Sequence, residues 1–189
     1  MINKDDQYHE AEGELARHLE DSEVSKLSHF YAAGTYEKRH KLWIGVPATC
    51  TAIILTWLLT SPFEDLGVST GTAAFLKRGL PIIFSLATSI LTAVGYFLNY
   101  GDLANRHRSA AQKYQEVWRQ CKNWKTDFPG CDHAEGACSL ARRMRERLNE
   151  VNKESPQIPE WAWRSVDHQR EKGSVVYVSE AAVPKKRAE

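Results

Sequence analysis

Two long segments without a charged residue constrain this chain more than any other feature. One runs from Leu42 to Thr60 and the other from Gly79 to Tyr100, and each is close to the roughly 20 residues that a helix needs to cross the hydrocarbon core of a bilayer. Their Leu, Ile, Val and Phe side chains contribute about −2 to −6 kcal/mol per helix toward membrane insertion. The alternative is a pair of buried helices in a soluble protein, but such helices rarely stay free of charge over this length. The two segments therefore predict two membrane-spanning helices.

The average composition conceals this pattern. A mean hydropathy of −0.48, 26% charged residues and a formal net charge of +1 are typical of a soluble domain. The averages arise because the rest of the chain, outside the two apolar segments, is unusually polar. Neither segment resembles a signal peptide, since a long acidic segment precedes the first and no small-residue cleavage site follows a short apolar core. At 189 residues there is room for a membrane hairpin and one helical layer, but not for a separate catalytic domain of usual size.

Basic residues beside the spans predict the orientation of the hairpin. They flank its outer ends, at Lys38, Arg39 and Lys41 before the first span and at Arg106, Arg108 and Lys113 after the second. The connecting loop, residues 61–78, has Lys77 and Arg78 against Glu64 and Asp65. Because cytoplasmic flanks carry the excess of Lys and Arg, we expect both termini in the cytoplasm.

The flanks read as long helices. Residues 6–41 form a helix leading into the first span, with an apolar stripe of Leu15, His18, Leu19, Leu27, Phe30 and Tyr31. After the second span, residues 101–126 continue as a helix with a heptad seam, in which steps of four and three alternate. The seam consists of Leu103, His107, Ala110, Tyr114, Val117, Cys121 and Trp124. The seam predicts packing on a partner helix. Because Gly101 is the one weak position between the second span and the seam, we also expect one helix of about 70 Å from Leu80 to Thr126, able to carry movement rigidly between membrane and cytoplasm.

Two shorter helices complete the predicted fold. The run Asp127-Phe128-Pro129-Gly130 ends the seam helix, and a helix over residues 139–152 follows it. A turn with two prolines then leads to a last helix over residues 160–172, and residues 173–189 read as a flexible tail with a short strand at Val175–Val178. The predicted fold class is thus an all-α membrane protein, a two-helix transmembrane hairpin with long cytoplasmic helical extensions.

Polar residues on the second span suggest a functional face. They follow three- and four-residue steps, at Ser85, Thr88, Ser89, Thr92, Tyr96 and Asn99. In hydrocarbon such groups turn toward protein or water, since an unpaired hydroxyl facing lipid is costly. One interpretation is a pore lining. The other is close packing of the hairpin, because Ser85, Ser89 and Ala93 also form a series of small residues four apart.

Other candidate residues have two interpretations each. His107 could be a switch responding to pH or metal, or a buried, hydrogen-bonded histidine facing an acidic residue of the first helix. Four arginines could bind lipid phosphates or a nucleotide second messenger, with Trp161 or Trp163 stacking on a base; they are Arg142, Arg143, Arg145 and Arg147. Alternatively, the arginines form a solvated charged face and the tryptophans are packing or interface anchors. Cys121, Cys131, His133 and Cys138 match no common zinc module, so free thiols are the preferred interpretation and we expect no metal or other cofactor.

Motifs of common enzyme families are not found. The sequence contains no Walker lysine after a glycine-rich loop, no H-E-x-x-H, no G-x-S-x-G and no G-x-G-x-x-G. Neither span holds an ionisable Asp, Glu, Lys or Arg, which argues against a proton- or ion-coupled transporter. We therefore expect a protein that is not an enzyme and does not bind nucleic acid directly.

Three segments resemble the SLATT family of bacterial two-transmembrane effectors. They are Leu27 to His40 (LSHFYAAGTYEKRH), Ala104 to Trp118 (ANRHRSAAQKYQEVW) and Ser155 to Ala162 (SPQIPEWA), in an element order that matches over residues 8–172. The resemblance implies a single SLATT-like domain over residues 1–172 and a role in anti-phage defence. It also implies a homo-oligomer that opens pores or otherwise breaches the inner membrane after an infection signal. The expected partners are lipid and a nucleotide-messenger synthase, a sensor protein or a reverse transcriptase encoded nearby. The alternative is a membrane-anchored module that recruits a cytoplasmic partner through the seam.

Overall fold

The computed structural model describes residues 3–60 and 79–171, and every regular element in these ranges is helical. The helices are α1 (Lys4–Thr60), α2 (Leu80–Leu98), α3 (Tyr100–Asp127), α4 (Ala134–Glu154) and α5 (Glu160–Glu171), with a short 3₁₀ turn at Cys131–His133 before α4. The prediction of an all-helical fold is confirmed for the described residues. The connecting loop 61–78 and the tail 173–189 with its possible strand lie outside them.

The described residues divide into two compact units. The first contains the chain up to Gly34 and from Ala104 onward, and the second contains Thr35–Leu103 apart from the loop. Each unit has its own packing. The unit boundaries fall inside helices α1 and α3 rather than in loops.

The first unit is held together by a core shared among α1, α3 and α4. Tyr8, Ala11 and Leu15 of α1 pack in one cluster with the α3 and α4 residues Ala110, Tyr114, Val117, Cys121, Trp124, Ala137, Leu140, Ala141, Met144, Leu148 and Val151. Helix α5 adds buried Ala162 and Val166. Small residues recur at these positions, which lets the helix backbones approach closely.

Helix ends in the first unit follow local signals. Helix α3 stops before Pro129 and Gly130, and the carbonyl of Phe128 accepts a hydrogen bond from the Tyr8 hydroxyl at 2.8 Å. Helix α4 ends at Glu154 before Pro156, with the Ser155 amide donating to the Val151 carbonyl at 2.9 Å. Helix α4 starts at Ala134, five residues before the predicted start, and the buried residues of its first turn are the small Ala134 and Ala137.

The predicted stripe on α1 is partly wrong. Phe30 and Tyr31 are 38% and 42% exposed, whereas the neighbouring Ser28 and His29 are almost fully buried. The buried face also includes Ser22, Ala32 and Ala33. In this part of the helix the large apolar side chains therefore predicted the wrong buried face, because small or polar residues occupy the buried positions.

The second unit pairs the apolar part of α1 with α2. Residues 50–57 of α1 line a small apolar cavity of about 130 Å³ with Pro81 and Phe84, while Trp43 lies against Gly95, near the other end of α2. The two segments therefore run side by side in opposite directions. Nearby, Tyr36 stacks on Tyr100 with ring centroids 5.9 Å apart. Gly101 leaves room for His40, because a Cβ atom there would lie 2.9 Å from the ring.

The predicted continuous helix from Leu80 to Thr126 is interrupted. Asn99 separates α2 from α3 with φ 43° and ψ 40°, and its carbonyl accepts from the amides of Asp102 and Leu103 as α3 begins. This left-handed conformation is strained for most residues, but asparagine tolerates it better than others. Asn99 therefore breaks the helix, whereas the sequence pointed only to Gly101 as a weak position.

One segment satisfies the requirements of a membrane span. Among the described residues, one stretch is by length and composition able to cross a bilayer: Pro81–Asp127, which comprises α2 and α3 and has a mean hydropathy of 1.8 in its most apolar window. Only 11% of that window is buried. Its apolar side chains therefore point away from the protein, unlike those of a core helix in a soluble domain.

Candidate functional site

Several hydroxyl groups of the polar stripe on α2 donate hydrogen bonds to backbone carbonyls of the same helix. Thr88 and Ser89 donate to the Ser85 carbonyl at 3.0 and 2.8 Å, and Thr92 donates to the Thr88 carbonyl at 2.8 Å. Thr51 on α1 does the same toward the Pro47 carbonyl at 2.9 Å. Because these hydroxyls have intrahelical acceptors, facing lipid costs them less than the sequence argument assumed.

The end of the stripe near Asn99 faces a crevice in the second unit. This crevice has a volume of about 390 Å³, and Thr92, Tyr96 and Asn99 lie along its α2 side. The α1 side contributes His40, Trp43, Ile44, Pro47, Ala48 and Thr51. Ser85 and Ser89 are exposed elsewhere on α2, and Thr88 is buried with 8% exposure. The structure thus brings three of the six predicted stripe residues together in one wall.

The seam residues lie in the first unit, except Leu103, which belongs to the second. Those from His107 to Trp124 are at most 5% exposed, whereas Leu103 is half-buried and its neighbour Ala104 is covered. The partner of the seam is α1 of the same chain, together with α4. The thiol of Cys121 sits in this core, and burial raises its pKa to about 12, so it stays a protonated thiol.

His107 packs against a second histidine. Its Nδ1 atom lies 2.8 Å from Nδ1 of His29, and the two residues are 2% and 1% exposed. His29 also stacks on Tyr114, with ring centroids 5.4 Å apart and an interplanar angle of 19°. Burial lowers the pKa of both histidines, and that of His29 falls to about 4 with a further contribution from His107. The pair is therefore neutral at pH 7.

The residues proposed for nucleotide or lipid contact do not converge on one site. Arg142 and Arg143 are exposed on α4, whereas Trp161 packs on Tyr31 with ring centroids 5.9 Å apart. Of these candidates, Trp163 and Arg145 line one cavity in the first unit.

The cysteines are reduced in the structure. Cys50, Cys121, Cys131 and Cys138 are all free. Within residues 3–60 and 79–171 no three His, Cys, Asp or Glu side chains are grouped so that they could hold a metal ion.

Comparison with protein-family models, with curated proteins and with solved structures finds no match to this chain.

Proposed function

We propose that this protein is an integral protein of the bacterial inner membrane, with Leu42–Thr60 and Gly79–Tyr100 as its two spans and both termini in the cytoplasm. The observation that carries this proposal is the outward-facing apolar surface of α2. Ile82 is 68% exposed, Leu86 63% and Ile90 56%. At about 25 cal/mol per Å² of apolar surface, such a face is costly in water, and lipid removes that cost. The antiparallel pairing of α1 with α2 supports a hairpin.

We further propose that the protein is a pore-forming or permeabilising effector of anti-phage defence. The resemblance of Leu27–His40, Ala104–Trp118 and Ser155–Ala162 to the SLATT family supports this role, as does the crevice bordered by Thr92, Tyr96 and Asn99. Two helices cannot enclose a channel, so the proposal requires a homo-oligomer. A nucleotide-messenger synthase, a sensor protein or a reverse transcriptase encoded nearby would provide the trigger.

Burial of the seam argues against the alternative, a membrane anchor that recruits a partner through that seam. Val117 and Cys121 are each 1% exposed because α1 and α4 already cover them. A partner could reach them only by displacing a helix of the same chain. Recruitment would therefore need another surface, whereas permeabilisation does not use the seam.

Membrane depolarisation tests the proposal. The chain is expressed in bacteria together with its neighbouring genes, and the cells are given an infection signal. The membrane potential is then followed with a potential-sensitive dye. We expect depolarisation by the parent and none by Ile90→Lys, which places a charge at an exposed position of the span. The conservative Ile90→Leu should behave as the parent.

Two results would contradict separate parts of the proposal. Recovery of the parent chain in the soluble fraction would refute the membrane spans. A membrane-inserted oligomer that captures a partner but never depolarises the membrane under infection would refute permeabilisation and leave the anchor.

A further inference from the structure

A polar cavity of about 500 Å³ opens in the first unit, where four helices meet. Helix α1 contributes His18 and Asp21, α3 contributes Tyr114, α4 contributes Asn149 and Asn152, and α5 contributes Trp163. This volume lies within the range of small-molecule sites, which combine apolar or aromatic walls with a few convergent polar groups. The proposed pore does not use this cavity.

The shape of the lining suits a flat ligand. Leu148 and Tyr114 are buried at 6% and 4% exposure and form apolar surface, whereas the Trp163 ring is 49% exposed at the rim. An exposed indole beside a cavity offers a stacking face to a planar ring. The indole is on the first turn of α5, where the Pro159 carbonyl accepts hydrogen bonds from the amides of Ala162 and Trp163.

Hydrogen-bonding groups in the lining suit the edge of a heterocycle. The Tyr114 hydroxyl donates to Oδ1 of Asn152 at 2.5 Å, which fixes the orientation of that amide. The N–H groups of the Asn152 amide can then donate to a ligand. Asn149 lies one α-helical turn earlier in the sequence, on the same face of α4, and is exposed. Two amides and a carboxylate, Asp21, can match adjacent donors and acceptors on a ring, as Asn does for nucleobase edges.

The charges of the lining disfavour a phosphate. Arg145 is the one arginine among the described residues that line the cavity, and its Nε and Nη2 atoms already bind Oε1 of Glu14 at 2.6 and 2.5 Å. Burial raises the pKa of Glu14, but hydrogen bonds from Arg145 and His18 outweigh this effect and lower it, so the carboxylate stays ionised. Asp21 adds a further acidic group, so the cavity has no surplus of positive charge to offer an anion.

We propose that this cavity binds an uncharged nucleobase-type heterocycle, with Trp163 stacking on the ring, Asn149 and Asn152 bonding to its edge, and phosphorylated nucleotides excluded. Binding does not depend on the protein forming a pore. It can be measured on the full-length chain in detergent whether or not the membrane function holds.

Isothermal titration calorimetry with adenosine, cytidine, guanosine and uridine tests the proposal, with the four 5′-monophosphates as anionic comparators. We expect at least one nucleoside to bind and its monophosphate to bind more weakly. Trp163→Leu and Asn149→Leu should each weaken binding at least about fivefold. Trp163→Phe should restore most of the affinity, and Trp161→Leu, on the same helix but packed on Tyr31, should leave it unchanged.

Three outcomes would overturn the proposal. They are no binding of any nucleoside at millimolar concentration, tighter binding of a monophosphate than of its nucleoside, and equal affinity of the parent and Asn149→Leu. A melting curve for each variant shows whether the fold is kept. Should Trp163→Leu unfold, the nucleoside affinities of Trp163→Phe and Asn149→Leu are compared instead, since both positions are exposed. The proposal then requires that Trp163→Phe keeps most of the affinity and that Asn149→Leu loses it.

Discussion

His29 and His107 share a hydrogen bond between their Nδ1 atoms, which lie 2.8 Å apart inside the first unit. One ring must donate its Nδ1–H and the other must accept, so the two rings are held in different tautomers when both are neutral. Protonating both rings would point two N–H donors at each other. The pair can therefore carry one added proton and keep its bond, but not two.

Acid should destabilise the first unit through this pair. The His29 pKa falls from 6.5 to about 4 in the folded protein, so below pH 6.5 the unfolded chain binds protons that the native one does not. Stability should be greatest above pH 6.5 and should fall as the pH drops toward 4, by about 3 kcal/mol at most for His29. Denaturant melts of the detergent-solubilised chain between pH 4 and 8 measure this slope. The double variant His29→Asn/His107→Asn should flatten it, and a slope equal to that of the exposed control His9→Asn would exclude the pair as its source.

A charge in the seam should unfold the first unit rather than dissociate an oligomer. Ala110 is 3% exposed against α1 and α4, so Ala110→Glu buries a carboxylate and should cost several kcal/mol. Its neighbour Ser109 is exposed, and Ser109→Glu should be nearly neutral. Melting curves and mass measurements in detergent distinguish the two effects. Dissociation of a subunit that melts like the parent would show that the seam packs between chains.

The break at Asn99 should depend on the left-handed conformation of that residue. Asn99→Ala should lower stability by about 1 kcal/mol, because alanine pays the full steric cost at φ 43°. Asn99→Gly should be tolerated, since glycine has no Cβ to clash. Thermal melts of the three proteins check this order. An alanine variant more stable than the parent would mean that α2 and α3 form one helix, as the sequence predicted.

The hydroxyls of α2 should matter for conduction more than for assembly. Ser89→Val with Thr92→Val removes two bonds that stay within the helix, so no bond between helices is lost, and expression and oligomer size should persist. If this face lines a wetted path, leakage should fall sharply because an apolar constriction resists hydration. Thr56→Val, which removes the same kind of bond on α1, is the control. Leakage equal to the parent's from the double variant would remove the stripe from the pore.

The amino-acid sequence by itself determined that the chain is helical, where its apolar segments lie and which positions of α3 are covered. His107, Ala110 and Tyr114 follow a heptad spacing, which places them on one face of the helix. This placement depends on the helix alone and not on what packs against it. Pro129 and Gly130 likewise end α3 through their own backbone limits.

The tertiary structure alone decided what covers those positions. On α1 the covering face includes Ser22, Ser28 and His29, which no hydrophobic pattern identifies, because these buried side chains are small or polar. The same holds for the cavity beside Trp163, whose walls come from four helices, of which α1 and α5 are more than a hundred residues apart in the sequence. Periodicity is set by neighbours three and four residues away, whereas the partner of a face is set by how whole helices pack.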